Sequence, residues 1–376
     1  MISIDLKNIE SAPNDWSEVF DYREDLNILK KNLEDIKDKY KNVLVIGNGG
    51  SITSFEAMFW ALCSDKDAKT VWTMDPFYLK RIKRDFKKED TIVIAVSKSG
   101  NTLGQLESLM YFKDYDVVVV TEKERGALSE IAQKLDWKII EHPPIGGRFS
   151  AGTSSTLTSA YMAGMDIVNI QKGIISGYKL LKNEAFSLSK YYFDKEKNGY
   201  EEVYVSIYSE ALEKFQNLII QLMHESVCKD GKGQTFYTAM GPESQHHTNQ
   251  RFLGGKKNVI GTFIISGSEN DESVSIPEEI SDINYKGVRL SDFNKMKYSL
   301  ALSAEYLGTK QDADKLEVPN VTIKIEKIDE ESIGELISFW QMVAFYSSIL
   351  RGVNPFDQPA VENSKNITLQ IIKENL

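Results

Sequence analysis

Thr91-Ile92-Val93-Ile94-Ala95-Val96-Ser97-Lys98-Ser99-Gly100-Asn101-Thr102 is the stretch on which the reading of this chain turns. Its first half is a short apolar run rich in β-branched residues, the pattern of a buried strand. Leu103, Leu106, Leu109 and Met110 then recur at helix spacing. Hydroxyls, a lysine and a glycine therefore stand at the carboxyl end of a strand, where a helix begins. Free N–H groups and the positive end of the helix dipole make that junction an anion site. Ser97, Ser99 and Thr102 offer hydroxyl donors and Lys98 a positive charge. The same residue types also serve as ordinary helix N-caps, so the stretch alone leaves both readings open.

Upstream, Val43-Leu44-Val45-Ile46-Gly47-Asn48-Gly49-Gly50-Ser51 predicts a second buried strand running into a glycine turn, then a helix carrying Phe55, Met58, Phe59 and Leu62. No Gly-Lys-Ser/Thr ends the turn, and the glycines miss the full dinucleotide spacing. Further strands are expected at 70–72, 117–121 and 137–140, with helical patterns between them. Such alternation implies a parallel sheet covered by helices. Gly146-Gly147-Arg148-Phe149-Ser150 follows, then a small-residue stretch expected to be one helix over 151–170. A buried arginine in such a setting needs partners for its charge.

The second half repeats the theme: strands at 203–208, 235–240, 259–266 and 318–325, and helices at 211–223, 298–307 and 333–350. The fold class is α/β, in two units that are each a mainly parallel sheet between helices. Residues 1–41 read as an entry segment and a charged helix with Leu29, Leu33 and Ile36 inward; 42–185 form the first unit and 186–376 the second, joined at about 180–200. Residues 271–282 read as an acidic, solvated loop.

Composition excludes several function classes. A net charge of −10 argues against nucleic acid and anionic membranes as main partners, so an anionic substrate must meet a local positive cluster. Two cysteines, Cys63 and Cys228, form no disulfide framework and suit a reducing cytosol. The N-terminus lacks a signal pattern, and the most apolar helix candidate, 337–350, is interrupted by serines and Gln341 and reads as a core helix. A cytoplasmic protein is expected.

Several segments together resemble the glucose-6-phosphate isomerase family, from residue 43 to residue 365. Gly146-Gly147-Arg148-Phe149-Ser150 with Ala163-Gly164-Met165-Asp166-Ile167 is similar to one family signature. Asn354-Pro355-Phe356-Asp357-Gln358-Pro359-Ala360-Val361-Glu362-Asn363-Ser364-Lys365 is similar to a second. Ser244-Gln245-His246 resembles the family's Gln-His element, and 97–102 its phosphate loop. The resemblance implies two sugar-isomerase (SIS) domains, usually as a homodimer. It also implies interconversion of glucose 6-phosphate and fructose 6-phosphate through an enediolate, with no metal or other cofactor.

Carried over by position, the resemblance assigns phosphate binding to Ser51, Ser97, Lys98, Ser99 and Thr102, with Gly50 letting the backbone come close. Arg148 would offset the enediolate charge, Lys365 and His246 would open the ring, and Gln358 would place the sugar. The histidine would come from the neighbouring subunit. Glu225, in Met223-His224-Glu225-Ser226-Val227-Cys228-Lys229-Asp230-Gly231-Lys232, is the leading base, although this context departs from the family's Met-Glu-Ser-Asn-Gly-Lys pattern. Glu243 is its rival. A metal shared by adjacent His246 and His247 is disfavoured, because neighbours on a helix point about 100° apart. Gln358 and Lys365, seven residues apart, are expected on one helix face. Thr153, Ser154, Ser155 and Thr156 are more polar than the family's usual run, which points to an altered pocket. The alternatives are an isomerase of another phosphosugar, such as one also taking mannose 6-phosphate, and a non-catalytic sugar-phosphate-binding regulator.

Overall fold

The computed structural model describes residues 2–62, 65–267 and 271–376; Cys63 lies outside the described residues. In chain order the elements begin with β1 (Ile2–Ile4), α1 (Leu26–Leu33), β2 (Asn42–Ile46), α2 (Gly50–Leu62), β3 (Asp67–Val71), α3 (Pro76–Asp85) and β4 (Thr91–Val96). Then come α4 (Leu103–Tyr111), β5 (Asp116–Thr121), α5 (Gly126–Lys134), β6 (Lys138–Glu141), α6 (Ser154–Met162), α7 (Ile167–Leu180) and α8 (Lys182–Lys197). The second half adds β7 (Glu202–Tyr208), α9 (Phe215–Val227), β8 (Thr235–Met240), α10 (Thr248–Gly254) and β9 (Val259–Ser266). A short hairpin, β10 (Asn284–Tyr285) and β11 (Val288–Arg289), precedes α11 (Tyr298–Lys315), β12 (Asn320–Ile325), α12 (Glu330–Arg351) and α13 (Glu362–Asn375).

Two five-stranded sheets result. The first has the order β3-β2-β4-β5-β6 and is parallel throughout. The second has the order β1-β12-β9-β7-β8, parallel except for β1, which runs antiparallel along β12. The α/β class with parallel sheets between helices therefore stands as expected. The alternation of strand side chains shows how the layers divide. Val43 and Val45 of β2 face a central core that also takes Val203 and Val205 of β7, while Leu44 and Ile46 face α3, α4 and α5. One helical layer is thus shared by both sheets, and the two units have a continuous core between them.

Several boundaries differ from expectation. Within 180–200, expected as a joint, lies α8, whose Tyr192 is buried and bonds Thr262 of β9 at 2.7 Å. Residues 2–4 are a sheet edge, a segment too short to show period-two patterning. The single helix expected over 151–170 is two, because the Asp166 carboxylate accepts from the Val168 and Asn169 N–H groups and starts a new helix. The small polar residues there are buried structural groups: Thr153 caps α6, and the Ser154 hydroxyl donates to the Glu141 carbonyl at 2.7 Å.

The spine is α12, a 22-residue helix with an 18-residue stretch of mean hydropathy 1.3, long and apolar enough for a membrane span, yet 83% of that stretch is buried inside the fold. It crosses α7 at backbone contact. A Cβ on Gly173 would strike the Glu331 carbonyl, and one on Gly334 the Ile170 carbonyl. Alanine elsewhere in a helix gains up to about 1 kcal/mol over glycine, but overpacking a backbone contact costs about 1–3 kcal/mol. Gly173→Ala is therefore expected to lower stability despite its better helix propensity, read as a lower urea midpoint.

Candidate active site

In an open parallel sheet, ligands bind beyond the carboxyl ends of the strands where strand order reverses. In the first sheet β2 is flanked by β3 on one side and β4 on the other, so the reversal lies between β2 and β4. The loops after these two strands are the glycine turn and the Ser97–Thr102 stretch. They open into a cleft of about 730 Å³.

One wall is polar and made by the starts of α2 and α4, with Ser51, Ser97, Lys98, Ser99 and Thr102 lining it. Thr102 is the N-cap of α4 but makes no capping bond with its side chain; its hydroxyl lies 3.4 Å from that of Ser97. The N-cap reading of this stretch thus holds for the backbone, while the hydroxyls remain turned to each other at the cleft wall. Lys98 donates to the Pro144 carbonyl at 3.1 Å, which ties the loop to the turn before Arg148. Gly50 also lines the cleft, and its close backbone approach is to Gly147 and Arg148, where any Cβ would overlap the chain. That contact joins the α2 start to the arginine turn.

The opposite wall is built around Arg148, which is buried. Its three guanidinium nitrogens all have partners. Nε donates to the Ser226 hydroxyl at 2.8 Å, and one Nη to Gln358 Oε1 at 2.9 Å with Glu225 Oε1 at 3.3 Å. The other Nη donates to the Pro355 carbonyl and to the Asp357 carbonyl at 3.0 Å. Burial pushes the guanidinium below the usual arginine range, and the nearby Glu225 and Asp357 carboxylates act against that. Asp357 is held below its usual range chiefly by its hydrogen bond from Lys229, at 2.9 Å.

Glu225 sits at the last turn of α9 with one oxygen beside Arg148 and the other accepting from Gln221 Nε2 at 2.9 Å. Gln221 in turn accepts from the Thr53 hydroxyl at 2.7 Å. No motif announces Gln221, although its position four residues before Glu225 puts both on one helix face. Glu122 and Arg125, paired at 2.9 Å, also line the cleft and carry no motif.

The cleft therefore gathers Gly50, Ser51, the 97–102 group, Arg148, Glu225, Gln358 and Lys365, drawn from distant stretches of the chain. Gln358 and Lys365 do not share a helix face: Gln358 precedes a 3-10 turn begun by Pro359, and α13 starts only at Glu362. Both nonetheless line the cleft, as does Val361 of the turn between them. Lys365 pairs with Glu362 at 2.7 Å, both exposed. His246 does not line its own chain's cleft; it stands exposed in the 3-10 turn Glu243–His246 after β8. Glu243 lies in the same turn and pairs with His247 at 2.8 Å, so it too is outside the cleft. Thr153 to Thr156 do not line the cleft.

No protein-family model matches the chain. The glucose-6-phosphate isomerase of Methanocaldococcus jannaschii is 30% identical over 368 residues, covering 92% of this chain and 88% of that protein. The chain belongs to the glucose-6-phosphate isomerase family. Solved structures agree in fold. A Thermus thermophilus protein described as hypothetical superposes with a TM-score of 0.82 at 24% identity, covering 94% of this chain and 89% of that one. A glucose-6-phosphate isomerase of Chlamydia trachomatis gives 0.72 at 22% identity, over 92% of this chain and 72% of that one.

Within this isomerase-family cleft the arginine can be tested by itself. Arg148→Lys keeps a charge but cannot form the fork, and unpairs several buried acceptors. Breaking a buried pair costs about 3–5 kcal/mol, so a loss of roughly 3 kcal/mol is expected on urea unfolding. Faster amide exchange over 355–358 is expected with it.

Proposed function

We propose that this protein interconverts glucose 6-phosphate and fructose 6-phosphate by metal-free proton transfer through an enediolate, working in the cytoplasm as a homodimer. The observation that carries the reading is the carboxylate of Glu225, 3.3 Å from the Arg148 guanidinium, in the same cleft as the phosphate loop. A base, a cation and an anion anchor in one cleft are the elements an aldose–ketose exchange of a phosphosugar requires.

The phosphate is taken to bind Ser51, Ser97, Lys98, Ser99 and Thr102, where helix starts and hydroxyls converge. That remote binding energy holds the reacting carbons in place. Lys365 and the partner subunit's His246 move a proton between ring oxygen and anomeric hydroxyl. The exposed Lys365–Glu362 pair is worth little, so the lysine is free to turn inward. Glu225 takes the proton from C2 and returns it to C1, or the reverse. With its nitrogens engaged, Arg148 acts on the enediolate by its charge at short range, in a site of reduced dielectric. Gln358, held by Arg148, is taken to meet the sugar hydroxyls.

Conversion of glucose 6-phosphate by purified protein, with a chelator present, tests this reading. Glu225→Gln is expected to reduce turnover at least ~100-fold, the scale of a general base, while sugar-phosphate binding persists. Undiminished turnover in that variant would remove Glu225 as the base. Tight binding without turnover in the wild type would favour the regulator.

The shared site has its own test. Glu225→Gln and His246→Ala chains, each inactive alone, are expected to regain about a quarter of wild-type activity after mixed reassociation, because each hybrid of a two-fold dimer keeps one intact site. Failure to complement, with hybrids demonstrated by native mass spectrometry, would place the histidine elsewhere.

A further inference from the structure

The second sheet has a strand-order reversal of its own. There β7 is flanked by β8 and β9, so the crevice lies beyond the carboxyl ends of β7 and β9. This is the same topological position that the phosphate cleft occupies in the first sheet. A cavity of about 670 Å³ stands there, close in size to the phosphate cleft and well within the range of small-molecule sites. No step of the proposed reaction uses it.

Its chemistry differs from that of the first cleft. At its base the Ser266 hydroxyl, from the end of β9, donates to that of Ser209, just past β7, at 2.8 Å. Tyr298, Leu302 and Tyr306 of α11 line one side. The Tyr306 hydroxyl is occupied with Thr322 at 2.8 Å, and that of Tyr208 with Thr309 at 3.2 Å, which leaves their rings as apolar surface. Among the described residues the charged groups are Glu210, Asp271 and Lys324. Lys324 is paired with Glu326 at 2.8 Å. Asp271 accepts from the Ser299 N–H at 3.0 Å.

Charge decides what each crevice can hold. The first sets Lys98, Arg125, Arg148 and Lys365 against Glu122, Glu225 and the Glu362 that pairs with Lys365, still a surplus of cations. Among the described residues the second sets one neutralised lysine against two carboxylates. A phosphate there would meet carboxylates at close range, which costs free energy. Hydroxyl and carboxylate acceptors beside aromatic rings suit instead a compound with many O–H groups and apolar C–H faces.

We propose that this second crevice is a binding site for an uncharged polyhydroxylated ligand of sugar size, separate from the phosphate cleft. Glu210 and the Ser209–Ser266 pair meet its hydroxyls, and Tyr298 lies along its C–H face. The site stands on its own chemistry and does not depend on the reaction assigned to the first cleft.

Saturation-transfer NMR of the full chain with glucose as probe tests it, using variants in both clefts. Glu210 and Tyr298 are exposed, so Glu210→Gln and Tyr298→Ala are expected to fold normally. Glucose signals are expected in the wild type, and to survive both Lys98→Ala and saturating fructose 6-phosphate. Each second-crevice variant should weaken glucose binding roughly tenfold, the scale of one good hydrogen bond or ring contact. Absence of glucose signal in the wild type would overturn the proposal. So would loss of signal in Lys98→Ala with both second-crevice variants unaffected, which would place glucose in the phosphate cleft. If fructose 6-phosphate binds nowhere while the variant pattern holds, the first-cleft reading fails and this one stands.

Discussion

A buried guanidinium cannot stay charged without partners, and Arg148 shows how much structure that demand organises. Its donors take Ser226 and Glu225 from α9, Gln358 and two carbonyls from the segment before α13. Its own carbonyl accepts from Gln341 of α12 at 2.9 Å. Stretches far apart in sequence are therefore fixed relative to one charge. Moving the arginine would leave the buried Pro355 carbonyl and Ser226 hydroxyl without that partner, which costs free energy. The same arrangement limits the arginine's chemistry: with its nitrogens engaged, it contributes a field more than a new hydrogen bond.

The remaining order comes from packing around α12. Glycines let α7 and α12 meet backbone to backbone, and both sheets then place one face on the same helical layer. A shared layer keeps the hydroxyl-lined wall of the cleft, carried by the first sheet, in register with α9 and Glu225, carried by the second unit. Domain independence is correspondingly low. The chain behaves as two repeats of one topology pressed onto a common core, each with a strand-order reversal and a crevice beyond it. Their linings have diverged, one toward cations and hydroxyls, the other toward carboxylates and aromatic rings.

Much of this was legible in sequence where a pattern is local. The strands β4, β5, β7, β8, β9 and β12 are apolar runs bounded by turn residues, and periodicity finds them within a residue or two. The stretch 97–102 was legible as a candidate anion site because strand, hydroxyls, glycine and helix follow one another without interruption. Arg148 stood out in the sequence as an arginine that would need partners, but Glu225, Gln358 and Lys365 were singled out only through resemblance, since nothing local distinguishes an acid at the end of one helix from a solvated one. Gln221, Glu122 and Arg125 carry no motif, and their neighbours in space are remote in sequence. The break between α6 and α7 was missed because a run of small residues looks helical until Asp166 is recognised as a cap.

Sequence alone determined the class of the fold, because the alternation of apolar runs and 3.6-residue periods is imposed by backbone geometry and burial. It also marked 97–102 as a candidate anion site, since a helix start, hydroxyls and a lysine are contiguous there. Only the tertiary structure decided which carboxylate faces the arginine, separating Glu225 from Glu243 by placing one in the cleft and the other in a distant turn. It alone decided that His246 lies outside the cleft of its own chain. These are questions of long-range closure, settled by how helices pack and which buried charges must be satisfied, and no local spacing encodes them.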